Sequence, residues 1–229
     1  MVNFIRKLFS PFFVDICISC KTKLLKQEKH ICLNCLYNLP RTNNHLKTNN
    51  SAEQLLAGKF PFEQAATFCK FNKGGILQPL IHDLKYKQNK EIGIILGRLF
   101  GKELMQSGFL ETVDLLVPVP LHPQKIKKRG YNQAEIIARG ISQSTNIPIS
   151  TNNLIRIINN PTQTKLSKTQ RWENVKGIFG VNNPEEFKNK HIFLIDDIIT
   201  TGSTLEACAI TITEIEGIKI SIATLGEAI

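Results

Sequence analysis

The stretch "HIFLIDDIITTGSTLEACAI", His191 to Ile210, decides how this chain is read. Ile192 to Ile195 run without polar interruption into two adjacent acids, Asp196 and Asp197. Such a run predicts a strand buried on both faces, as in a parallel sheet covered by helices. Ligands of open parallel sheets bind beyond the carboxyl ends of the strands, which is where the two acids emerge. The residues that follow, Thr200, Thr201, Gly202, Ser203 and Thr204, offer backbone N–H groups, hydroxyls and a glycine in a loop that enters a helix. That is a phosphate cradle. Adjacent carboxylates only accept hydrogen bonds and so suit vicinal hydroxyls; acids and cradle together match one ribose 5-phosphate. A structural or helix-capping pair is the bland alternative for the acids, and it leaves the loop chemistry without a use.

The rest of the chain supports this architecture. "FEQAATFCKF", "VDLLVPVP" and "IKISIATL" read as strands, and "IPI" as the start of a short one. "GGILQPLIHDLKYK", "KEIGIILGRLFGKELMQ", "GYNQAEIIARGISQST" and a segment from about Thr204 to Ile215 read as helices. The alternation predicts an α/β fold with a mainly parallel sheet. Two nucleotide-binding competitors fail. Neither Gly58-Lys59 nor Gly101-Lys102 is followed by the hydroxyl residue that a Walker A loop needs, and no G-x-G-x-x-G follows a predicted strand.

A chain of 229 residues with 42% hydrophobic and 21% charged residues has enough apolar material for one α/β domain and a small attachment, and is unlike a disordered chain. The net charge of +10 points to nucleic acid, an anionic surface or a polyanionic substrate; lysines spread over solvated faces are the alternative. The start "MVNFIRKLFSPFFVDIC" does not read as a secretory signal, because Pro11 interrupts its apolar run and Asp15 ends it. No apolar run is long enough to cross a bilayer, so a cytoplasmic location without membrane insertion is expected.

In a reducing compartment the cysteines are read as metal ligands or core residues. Cys17 and Cys20 form one C-x-x-C pair, Cys32 and Cys35 another, with residues 21–31 between them. Four thiolates suit a tetrahedral Zn²⁺, and bound metal would supply the folding energy that so short a segment lacks. A redox pair and metal-free cysteines are the alternatives. A closed four-thiolate shell leaves no open position, so the site is expected to be structural. His30 is either a substitute ligand or a solvent-facing side chain. Cys69 and Cys208 lie in apolar stretches and read as core.

"RTNNHLKTNNSAEQLLAG" breaks periodicity and reads as a linker. The expected division is a zinc-ribbon-like module at 1–42, a linker at 43–58 and the main domain at 59–229.

"IFLIDDIITTGST" resembles the phosphoribosyl pyrophosphate signature of type I phosphoribosyltransferases. "VPVPLHPQKIKKRGYNQA", "TQTKLSKTQRWENVKGIF", "LKYK" near Lys85 and the four-cysteine start are similar to the ComF competence-protein family, so the resemblance covers nearly the whole chain. It implies that Asp196 and Asp197 hold the ribose hydroxyls while Thr200 to Thr204 hold the 5-phosphate. Val119, Pro120, Leu121, His122 and Arg129 would receive pyrophosphate, Arg129 through its bidentate fork. Lys125, Lys127 and Lys128 would supply a general field or a solvated face. Gln163, Arg171 and Asn174 would belong to a loop that folds over the substrate, with Arg171 also catalytic and Trp172 read as packing. The implied ligand is Mg²⁺-bound phosphoribosyl pyrophosphate, and the reaction is phosphoribosyl transfer to an unidentified amine or base. The family name further implies single-stranded DNA and DNA-uptake proteins as partners. The alternative is a binding accessory of that machinery without turnover.

Overall fold

The computed structural model of the chain describes residues 15–158 and 177–228. In chain order the elements are α1 (Leu33–Tyr37), α2 (Ser51–Leu56), β1 (Gln64–Phe71), α3 (Leu77–Tyr86), α4 (Lys90–Gln106), β2 (Leu115–Pro118), α5 (Pro123–Arg129) and α6 (Gln133–Thr145). They continue with β3 (Leu154–Arg156), β4 (Phe179–Val181), β5 (His191–Ile199), α7 (Ser203–Thr213) and β6 (Lys219–Ala228). β1, β6, β5 and β2 lie side by side in that order, all parallel, while β3 and β4 form a separate antiparallel pair. The parallel α/β sheet expected from the unbroken apolar strands is present. Ile149 of "IPI" adds a single parallel bridge to Leu116.

Successive side chains of a strand point to opposite faces, and β5 shows what that requires here. Phe193 and Ile195 join one core with Leu77, Leu80 and Leu84 of α3, Leu96 and Phe100 of α4, and Ile137 and Ile141 of α6. Ile192 and Leu194 join the other with Leu205 and Cys208 of α7, Leu56 of α2, and Phe179. Both faces are therefore dry, which is why β5 carries no alternation. α4 and α6 cross closely because Gly97 and Gly140 meet; a Cβ on Gly97 would lie 2.3 Å from the Ile137 carbonyl oxygen.

The cysteine segment is continuous with the main core. Cys17, Ile31, Cys32, Cys35 and Leu39 belong to the same apolar cluster as α3 and α4. Ser19 Oγ donates to the Ile76 carbonyl at 3.2 Å, and His30 Nδ1 lies 3.1 Å from Asn89 Nδ2. The stretch 43–58, expected as a linker, is folded: Asn50 caps α2 in a capping box with Glu53, and Ala52 and Leu56 are buried. Two of its polar residues, Asn44 and Asn50, are buried in a hydrogen-bond network, while Asn43, Lys47, Thr48 and Asn49 remain exposed. Asn50 Nδ2 donates to the carbonyls of Asn44, Lys47 and Ala65.

Candidate functional site

The site forms beyond β2 and along the last residues of β5; the acids were expected to emerge past the strand end, but β5 stays paired with β6 through Ile198 and Ile199, so both lie within the strand. Val119 N–H donates to the Ile195 carbonyl at 2.8 Å, so the loop after β2 lies against the residue that precedes the acid pair. Asn132 fixes this loop from the start of α6, its Nδ2 donating to the Val119 carbonyl at 2.9 Å while its Oδ1 caps Ala134 N–H at 3.1 Å. Val119 and Pro120 are buried and Leu121 and His122 half-buried. His122 caps α5, its Nδ1 accepting from Gln124 N–H at 3.2 Å.

Alternation along β5 sends the two acids to opposite faces, and their contacts agree. Asp197 Oδ1 lies 2.8 Å from Lys85 Nζ in the last turn of α3. Asp196 follows Ile192 and Leu194 on the face that packs on Cys208 of α7, where its charge is felt, while Lys85 and, more weakly, Arg156 of β3 act on it from a distance. Asp196 Oδ1 also accepts the Asp197 N–H at 2.8 Å. Burial, reinforced by the neighbouring Asp197 carboxylate, raises the Asp196 pKa to about 7. A carboxyl poised there can exchange a proton near neutrality, or pass fully to its accepting form when hydroxyl donors arrive.

Beyond the acids, Gly202 turns the chain at φ +77° into α7 with no side-chain cap. The first N–H of α7, that of Ser203, donates to Thr201 Oγ1 at 3.4 Å, and the Thr201 and Ser203 hydroxyl oxygens are 2.9 Å apart. A side chain at Gly202 would be strained and would put a Cβ 2.8 Å from Leu56 Cδ2. Lys59 Nζ donates to the Thr201 carbonyl at 2.8 Å and adds a cation beside the cradle. Thr200, Thr201, Ser203 and Thr204 are exposed.

Arg129 ends α5 half-buried, with its guanidinium 5.6 Å from the Tyr86 ring centroid and hydrogen-bonded to Gln133 Oε1. Lys125, Lys127 and Lys128 are exposed on α5. Gln163, Arg171, Trp172 and Asn174 lie outside the described residues. Sequence reasoning gave no role to Lys85, Lys59 or Asn132, because each reaches the site from a different part of the chain. The signals were thin: "LKYK" for Lys85 and an Asn before a helix for Asn132.

The thiols of Cys17, Cys20, Cys32 and Cys35 lie within 4.8 Å of one another. Sulfurs at tetrahedral corners around Zn²⁺ stand about 3.8 Å apart, and Cys20 Sγ to Cys32 Sγ is 3.6 Å. The Cys32 and Cys35 N–H groups each donate to a cluster sulfur at 3.4 Å, Cys17 and Cys32 respectively. The donor set fits zinc. Hydrogen bonds from Thr22 lower the Cys20 pKa to about 6, while burial raises that of Cys35 to about 12. His30, turned to Asn89, is not among the clustered ligands.

A family model described as "Phosphoribosyl transferase domain" matches residues 84–227, from the last turn of α3 through the acid pair and the hydroxyl loop into β6. The chain belongs to that family. It is 28% identical over 197 residues to the DNA utilization protein YhgH of Escherichia coli (strain K12), covering 85% of this chain and 82% of that protein. It is 33% identical to Competence protein F of Haemophilus influenzae over 133 residues, 56% of this chain and 58% of that protein. Competence protein ComFC of Bacillus subtilis (strain 168) is 29% identical over 199 residues, 85% of this chain and 76% of that protein. These relatives and the four-cysteine cluster bear out the resemblance to ComF proteins. Among the described residues, no helix is long and apolar enough to cross a membrane.

Proposed function

We propose that this phosphoribosyltransferase-family chain binds Mg²⁺-phosphoribosyl pyrophosphate and transfers the phosphoribosyl group to a nitrogen acceptor, in a cytoplasmic role linked to DNA uptake or utilization. The observation that carries the reading is one continuous arrangement: acid pair, open hydroxyl-lined helix start and pyrophosphate-side loop, all at the carboxyl ends of β5 and β2. Asp196 and Asp197 accept from the ribose hydroxyls, which requires the end of β5 to turn on binding because their side chains leave the strand on opposite faces, and Thr200 to Thr204 bind the 5-phosphate. The loop Val119 to His122 and Arg129 receive pyrophosphate.

In the reaction the bond between the anomeric carbon and the pyrophosphate oxygen breaks, and its electron pair leaves on pyrophosphate. The acceptor nitrogen's lone pair forms the new bond, and its proton passes to solvent or to the departing pyrophosphate. Mg²⁺ would offset charge on the pyrophosphate oxygens. The protein's part is preorganised donors and exclusion of water, since charge builds on the leaving group. Zn²⁺ on Cys17, Cys20, Cys32 and Cys35 would stabilise the cysteine segment against the core it shares with α3 and would supply no step of the chemistry.

Calorimetric titration of the intact chain with phosphoribosyl pyrophosphate and Mg²⁺ tests the reading, with Asp196→Asn/Asp197→Asn as control. Saturable binding that the double variant loses supports it. A folded, zinc-loaded chain that does not bind overturns it.

A second reading is favoured by the exposed Lys125, Lys127 and Lys128 beside the site and by the names of the relatives: a single-stranded-DNA-binding accessory without turnover. Its mark is affinity for single-stranded DNA that falls steeply with salt.

A further inference from the structure

Lys85 stands where the two halves of the proposed ligand meet. On one side its Nζ lies 2.8 Å from Asp197 Oδ1, with both side chains mostly buried. On the other, its chain neighbours hold the segment that follows the pyrophosphate-side loop. The Leu84 carbonyl accepts from the Tyr131 hydroxyl, and the Tyr86 ring stacks under Arg129. α3 is thereby tied at consecutive residues to the ribose acid and to the cation expected at pyrophosphate. Buried Leu80, Ile81 and Leu84 fix the helix on the sheet, so Lys85 reaches the site from a rigid element.

The chemistry of the ligand gives this placement its meaning. In phosphoribosyl pyrophosphate the 2-hydroxyl and the pyrophosphate sit on neighbouring carbons, so a cation touching the acid that holds the hydroxyls is within a side-chain movement of the leaving group. Once the hydroxyls donate to Asp197, the carboxylate has another partner and the ammonium is released toward the most negative group in reach. A four-carbon stem with three rotatable donors allows that shift, which a planar guanidinium would follow less readily.

Resting on the ligand reading above, we infer that Lys85 is a pyrophosphate-binding residue: it holds Asp197 in the free protein and moves to the leaving pyrophosphate when the ribose hydroxyls occupy that carboxylate.

The test titrates wild type, Lys85→Gln, Lys85→Met and Lys85→Arg with three probes in Mg²⁺ buffer: phosphoribosyl pyrophosphate, pyrophosphate and ribose 5-phosphate. One lost charge-assisted hydrogen bond should weaken phosphoribosyl pyrophosphate and pyrophosphate about 10- to 100-fold in the Gln and Met variants. Ribose 5-phosphate should bind these variants as well as wild type or better, and Lys85→Arg should recover part of the loss. Equal weakening of all three probes with a lower Tm would make Lys85 a structural residue and overturn the inference. So would unchanged pyrophosphate affinity in both uncharged variants. A wild-type chain that binds none of the probes would instead overturn the ligand reading itself.

Discussion

Lys59 Nζ donates to the carbonyl of Thr201, 2.8 Å away, and so ties the segment before β1 to the loop that opens α7. Leu56, three residues earlier, packs against Gly202 in the same loop. The proposed phosphate cradle is thus braced from residues far away in sequence.

Gly202→Ala tests the brace. It forces a side chain into a left-handed turn and against Leu56, and should cost about 1–3 kcal/mol of stability. Chemical denaturation should show the loss, and the variant should bind ribose 5-phosphate more weakly. Wild-type stability would mean that the loop rearranges freely.

Asn50→Ala removes a helix cap and leaves the carbonyls of Asn44, Lys47 and Ala65 without their donor. Lost cap and buried hydrogen bonds together predict a destabilisation of about 2–3 kcal/mol. A change no larger than that of an ordinary surface substitution would show that 43–58 contributes no more than a tether.

Asp196 predicts a pH dependence. Its folded-state pKa of about 7 lies above the usual 3.8, so between these values the folded chain keeps a proton that the unfolded chain has lost. Its contribution to stability is fully present below the unfolded value and fades as pH rises toward and through 7. Asp196→Asn should flatten that part of the stability profile. Binding of phosphoribosyl pyrophosphate should run the other way, strengthening by up to about tenfold per unit as pH rises toward 7, because the ionised acid is the better acceptor. Parallel pH profiles for wild type and Asp196→Asn would refute the assignment.

Zinc removal should be felt beyond the cysteines. Because Cys17, Cys32 and Cys35 share a core with α3 and α4, chelation should lower the Tm of the whole chain rather than release an independent appendage. Loaded protein should show one zinc per chain by atomic absorption and little reaction with thiol reagents. After chelation in native buffer Cys20, exposed and with its pKa near 6, should react first. Cys69, raised to about 12 by burial, and the buried Cys208 should lag far behind. Unchanged Tm on complete zinc removal would exclude the structural role.

What the sequence determined is what local chemistry writes into consecutive residues. The unbroken apolar run of Ile192 to Ile195 requires cover on both faces; the glycine and hydroxyls of Thr200 to Thr204 spell out a turn and a helix start, although the strand itself continues through the acids to Ile199; the paired C-x-x-C spacings bring thiols within reach of one another. Tertiary structure decided the rest, because it depends on contacts between distant segments. Only the pleat and the helices on either side reveal that adjacent Asp196 and Asp197 part to opposite faces, Asp197 to Lys85 and Asp196 to the side of Leu194 and Cys208. Likewise, no periodicity marks 43–58 as a packed brace, since its Asn-rich composition reads as loop until Ala65, Asn44 and Lys47 supply the partners of Asn50. The polar residues were visible in the sequence, but the carbonyls they satisfy and the charges they face are set by how the chain closes on itself.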